Sequence, residues 1–117
     1  MNKQREIKFR FYDKTDKRMK YFDSIWNMPD PSYDFDDIQQ FTGLLDKNGK
    51  EIFESDIVKI AGHTDNDVVI FKDGAFCIEG WTNTLAELMT DWSSNIDPTT
   101  IEVIGNVHEN PELLKDN

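Results

Sequence analysis

Ile7, Phe9 and Phe11 alternate with Lys8, Arg10 and Tyr12, the period-2 pattern of a strand buried on one side. Turn formers fill Asp13 to Lys17, and Met19-Lys20-Tyr21-Phe22 returns as a second strand. Residues 1–22 therefore read as a hairpin with one apolar and one basic face. Residues 23–37 break the pattern: Pro29 and Pro31 flank Asp30, and Trp26, Met28, Tyr33 and Phe35 stand among carboxylates. Prolines hold their predecessors extended, so this is an irregular acidic-aromatic loop, either a lid on the core or a docking patch.

Residues 38–114 read as a chain of short strands. Asp36 to Phe41 fits a helical turn or a strand, leading into Thr42-Gly43, where Gly43 is expected in a conformation other residues avoid. Lys47-Asn48-Gly49-Lys50 is a turn. Asp56 heads the β-branched run Ile57-Val58-Lys59-Ile60 and is placed to accept backbone amide bonds. Val68-Val69-Ile70-Phe71 is nearly all apolar, hence a central strand, and Asp73-Gly74 is a two-residue hairpin turn into Ala75-Phe76-Cys77-Ile78. Between 83 and 92 the period becomes helical, with Leu85, Leu88, Met89 and Trp92 on one stripe. A last strand, Thr100 to Val107, carries Ile101, Val103 and Gly105 on one face. Asn110 then caps a turn with Pro111 at its first position, and Leu113 and Leu114 are expected to plug the core. The fold class is mainly β with one or two short helices: a small, partly open SH3-like or related barrel with an N-terminal hairpin, residues 1–117 forming one domain.

Composition supports a packed domain. The chain's 117 residues, 38% apolar with 14 aromatics, can bury roughly two thirds of their unfolded surface. One cysteine, Cys77, cannot form an internal bridge. With no cationic-apolar leader and no apolar run near the roughly 18 residues that span a bilayer, the expected location is a reducing bacterial cytoplasm, away from membranes.

The net charge of −10 is unevenly placed. Residues 1–20 hold eight basic and three acidic side chains, a balance of +5, which leaves −15 for the other 97. From Tyr21 to Asp46 there are six Asp and no basic residue. A basic arm on an acidic body can dock on itself or on a neighbour, while the acidic total disfavours direct nucleic-acid binding.

Three blocks carry a family resemblance: Arg5-Glu6-Ile7-Lys8-Phe9-Arg10, the run Gln40 to Val58, and Glu102 to Leu114 with Gly105-Asn106-Val107-His108-Glu109-Asn110-Pro111 inside it. The chain resembles the YopX family of small proteins encoded by phages and prophages of Gram-positive bacteria. The resemblance implies a compact, mainly β fold and carries no catalytic residues. Two positions depart from it. Leu45 replaces a common Lys, and Ser55 stands where the family has Gly, which implies a less strained backbone there.

Chemistry is thin. His63 to Asp67 offers alternating metal ligands but has the composition of a polar loop tip, and Asp46 to Glu51 lacks the glycine and glutamate positions of a calcium loop. Cys77 between Phe76 and Ile78 reads as an inert strand thiol. No metal or cofactor is expected. The leading expectation is a non-catalytic phage or prophage accessory protein that binds protein, either a second copy or a host factor. Its candidate surface is Lys8, Arg10, Lys17, Arg18, Lys20, Trp26, Tyr33 and Phe35, with Thr42, Gly43, Asn48, Gly49, Asp56, Asp73, Gly74, Gly105, Asn110 and Pro111 as structural positions. Alternatives are an acidic decoy occupying a host DNA-binding protein, and a small enzyme with an unrecognised site.

Overall fold

The turn that closes the first hairpin is built by one carboxylate. Asp13 Oδ1 accepts the amides of Thr15 and Asp16 at 2.9 and 3.1 Å, and Lys17, at φ 56°, donates its N–H to the Asp13 carbonyl at 2.7 Å. In this computed structural model, which describes residues 7–24, 38–81, 84–86 and 101–114, that turn joins β1 (Phe9–Asp13) to β2 (Arg18–Phe22), paired from Phe9↔Phe22 to Asp13↔Arg18.

β3 (Ile38–Leu45) pairs with the other side of β1, so Ile38 to Phe41 is strand rather than helical turn, while Asp36 and Asp37 lie outside the described residues. Gly43 sits at φ 88° as expected, and Thr42 Oγ1 donates to the Ile52 carbonyl at 2.8 Å while accepting the Leu44 amide at 3.1 Å. This local rewiring accompanies the register shift between β3 and β4 (Glu51–Phe53). The connecting turn has Gly49 at φ 80° and is organised by Asp46, whose Oδ1 accepts the amides of Asn48 and Lys50 at 2.8 and 2.9 Å.

The chain then enters a second sheet: β5 (Asp56–Ile60), β6 (Asn66–Lys72), β7 (Ala75–Ile78) and β8 (Ile101–Asn106). The two four-stranded sheets run β2-β1-β3-β4 and β7-β6-β5-β8 and together make a mainly β, curled half-barrel. β6 is an interior strand, as its apolar run implies. Asp73 and Gly74 both have positive φ, 53° and 83°, the pair a two-residue type I′ turn requires. The core joins Ile52 of β4 to Val58, Ile60, Val69, Ile78, Ile101 and Val103 of the second sheet, with Leu85 packed among them.

Two backbone positions explain motif residues. A Cβ on Gly105 would stand 2.6 Å from Asn110 Oδ1, the oxygen that accepts the Asn106 amide at 3.2 Å, so glycine lets the turn after β8 fold back. Asn110 precedes a short 3-10 helix, Pro111–Leu114, in the capping place expected of it. Its leucines do not plug the core: Leu113 is half-buried and Leu114 is 39% exposed. Four residues are too few to turn both side chains inward.

Ser55 overturns the expectation drawn from its departure from Gly. It lies at φ 73°, held there because its N–H donates to Val69 O at 2.8 Å and its carbonyl accepts from Val107 N–H at 3.0 Å. The fold imposes the left-handed conformation whatever the side chain. Ser55→Gly is expected to stabilise the protein by about 0.5–1 kcal/mol, the relief of left-handed strain exceeding glycine's entropy cost. Urea unfolding measures it, and a lowered midpoint would contradict it. Of the predicted helix at 83–92, only 84–86 is described, with Leu85 and Ala86 helical and Thr84 bridged to Cys77.

Candidate protein-contact surface

Period-2 alternation sorts the side chains of β1 onto two faces without saying which face meets water. On the face of Lys8, Arg10 and Tyr12, expected to be solvated, Arg10 turns inward and reaches the second sheet. Arg10 is 4% exposed. Its Nε donates to Gln39 Oε1 at 2.7 Å, its Nη2 donates to Asp56 Oδ1 at 2.7 Å and to the Glu54 carbonyl at 3.1 Å, and its guanidinium lies 4.6 Å from the Phe53 ring centroid. Asp56 Oδ2 accepts the Phe53 amide at 2.7 Å, so this residue closes the β4–β5 turn as expected and also anchors Arg10. Burial pushes the Asp56 carboxyl above its ordinary value, against the opposing pull of Arg10 and the Phe53 amide. Arg10 therefore leaves the candidate contact surface. It belongs to a buried clamp between β1, β3 and β5.

Two further basic candidates are engaged within the chain. Lys8 pairs with Glu51, and its ammonium sits 5.8 Å from the Phe41 ring centroid. Lys20 contacts Asp13 at 2.7 Å and Asp16 at 2.6 Å. Those carboxylates hold Lys20 above its ordinary value, and hydrogen bonds from Lys20 and the turn amides hold Asp13 below its own. Lys17 and Arg18 face water at the hairpin tip, the Arg18 side chain 69% exposed and 4.0 Å from Asp16. Trp26, Tyr33 and Phe35 lie outside the described residues.

Two of the exposed apolar groups, Tyr21 and Phe71, are rings that the sequence pattern did not mark as exposed. Tyr21 is 56% exposed, with its ring edge on Phe53 at 5.5 Å, and it borders a recess of about 370 Å³ with Lys8, Phe22, Asp23 and Glu51. Phe71 is 52% exposed, packs edge-on against Phe76 at 5.0 Å, and borders a recess of about 430 Å³ between β3 and the β6–β7 hairpin, with Leu44 and Leu85 also lining it. Phe71 follows the buried Val69 in a run that reads as a central strand, and Tyr21 stands in a returning strand whose solvated face alternation does not identify. The sequence signal that existed was position, since each stands near the end of its strand.

His63 Nδ1 and Asp67 Oδ2 are 2.7 Å apart, beside the edge of Trp81. Among the described residues no three His, Cys, Asp or Glu side chains converge as metal ligands. Cys77 is half-buried, with its thiol 3.6 Å from the Ala75 carbonyl. No helix among the described residues is long and apolar enough to cross a membrane.

A family model described as YopX protein matches residues 28–115. It covers the second and third blocks noted in the sequence, and the first, Arg5 to Arg10, lies outside it. A solved relative, the crystal structure of protein EF1440 from Enterococcus faecalis, is 30% identical with a TM-score of 0.60, over 93% of this chain and 98% of that one. No curated protein matches.

Proposed function

Because the chain belongs to the YopX protein family, we propose that it is a phage-type accessory protein that works in the host cytoplasm by contact with protein, without catalysis of its own. The carrying observation is how the side chains are allotted. The buried charged groups Arg10, Asp13, Asp46 and Asp56 bond to one another, to backbone or to Lys20, whereas aromatic rings at Tyr21 and Phe71 face water beside open recesses. Exposed aromatics bordering a concavity are the usual anchors of protein interfaces. Affinity capture of the tagged protein from its host tests this. Partners retained by wild type should be lost with Tyr21→Ser or Phe71→Ser while the variants stay folded, and an identical set of captured proteins from all three would overturn the reading.

A further inference from the structure

β2 forms one end of the first sheet, and its outer edge has no ladder partner among the described residues. Antiparallel hydrogen bonding alternates from one side of a strand to the other, so the outward groups can be assigned. The Phe41 N–H donates to the Lys8 carbonyl at 2.8 Å, which turns the backbone of Lys8 and Arg10 toward β3 and that of Phe9, Phe11 and Asp13 toward β2. Their partners Phe22, Lys20 and Arg18 face back, leaving the N–H and C=O groups of Met19 and Tyr21 pointing outward.

We infer that this edge pairs with the β2 edge of a second copy of the chain, antiparallel about a two-fold axis at Lys20. The inference rests on the protein-contact reading above and names its partner. In that register Met19 of each copy is opposite Tyr21 of the other, so the outward backbone groups meet in complementary pairs. Lys17 of each copy comes opposite Asp23 of the other, two unlike exposed charges repeated by symmetry. Lys20 meets its own equivalent, a contact between like charges that the carboxylates of Asp13 and Asp16 already neutralise in each copy. Arg18 lies opposite Phe22, whose ring is already packed on Phe9 and Phe11, so no like charges meet there. Shifting the register by two residues either way loses the Lys17–Asp23 match.

A five-residue strand pair is a small interface, and each copy carries a charge of −10, so the dimer is weak and reversible. Sedimentation of the full chain over a range of concentrations, at roughly physiological ionic strength, tests it. The expected result is a monomer–dimer equilibrium that Met19→Pro weakens by about tenfold or more, since it removes an outward N–H and no bond to β1. Lys17→Asp and Asp23→Lys should each weaken it, and the two combined in one chain should restore it. Aspartate tolerates the left-handed backbone of position 17, so that variant keeps the fold. A monomer at every concentration, or a dimer indifferent to all these changes, would overturn the inference. Should the monomer still capture partners that depend on Tyr21 and Phe71, the broader protein-contact reading stands and only the β2 pairing fails.

Discussion

Replacing Arg10 by Met is expected to destabilise the protein by about 3–5 kcal/mol, the usual consequence of leaving one member of a buried ion pair alone. Methionine keeps much of the stem's volume against Phe53 but leaves the Asp56 carboxylate 2% exposed with only the Phe53 amide, and frees Gln39 Oε1 and the Glu54 carbonyl of their donor. Among the described residues Gln39 Nε2 has no hydrogen-bond partner, so the side chain would also lose the bond its Oε1 accepts from Arg10. A domain of this size is typically stable by about 5–15 kcal/mol, which brings the variant near the threshold of folding. Urea unfolding measures the change; a loss under about 1 kcal/mol would show the pair to be incidental.

Asp46→Ala should produce the second largest loss, about 2–3 kcal/mol. Asp46 accepts three amides: Asn48 and Lys50 within its own turn, and Val103 of β8 through Oδ2 at 2.8 Å. The turn amides can recover water, whereas the Val103 amide is buried and cannot. The contact also ties the β3–β4 turn to the second sheet, beside the Lys47 N–H donated to Ile101 O at 2.9 Å. Burial on its own would raise the Asp46 carboxyl; the three amide bonds outweigh it and hold the group below its ordinary value. A depressed folded-state value means the stabilisation is complete above the unfolded-state value, about 3.9, and is lost as pH falls through the folded one. Wild type should therefore shed stability below about pH 4 that Asp46→Asn never had, and the gap between their unfolding midpoints should narrow in acid. Asp13 acts in the same direction in both proteins, and Asp56, raised by burial, acts in the opposite one, so the difference isolates Asp46. A constant gap across pH would contradict this.

Turns were legible in the sequence because their requirement is local. Gly49, Asp73 and Gly74 sit at positive φ and are residue types that accept it. The strands were legible from alternation and β-branched runs, and the placement of Asp56, Asn110 and Pro111 from capping and turn chemistry. Whether Arg10 met water or the second sheet was not, since that depends on Asp56, 46 positions from Arg10. The same distance problem hid Asp46, whose bond to Val103 spans 57 positions. Ser55 misled for the converse reason: the residue type suggested a relaxed backbone while two long-range hydrogen bonds held it left-handed. The basic arm shows the functional consequence. Counting charges left residues 1–20 able to dock on the chain's own body or on a neighbour; pairing assigns Lys8, Arg10 and Lys20 to internal partners and leaves Lys17 and Arg18 outward, beside the exposed Tyr21.

That reassignment stands on the Arg10–Asp56 clamp, and a double-mutant cycle measures it most directly. Arg10→Met, Asp56→Asn and the double variant are compared with wild type by urea unfolding, asparagine retaining an oxygen for the Phe53 amide. A clamp between the sheets predicts that the double variant loses about 2 kcal/mol less than the two single losses combined. Losses that simply add would mean that Arg10 and Asp56 do not hold the sheets together, and the basic hairpin would again be available for contact with other molecules.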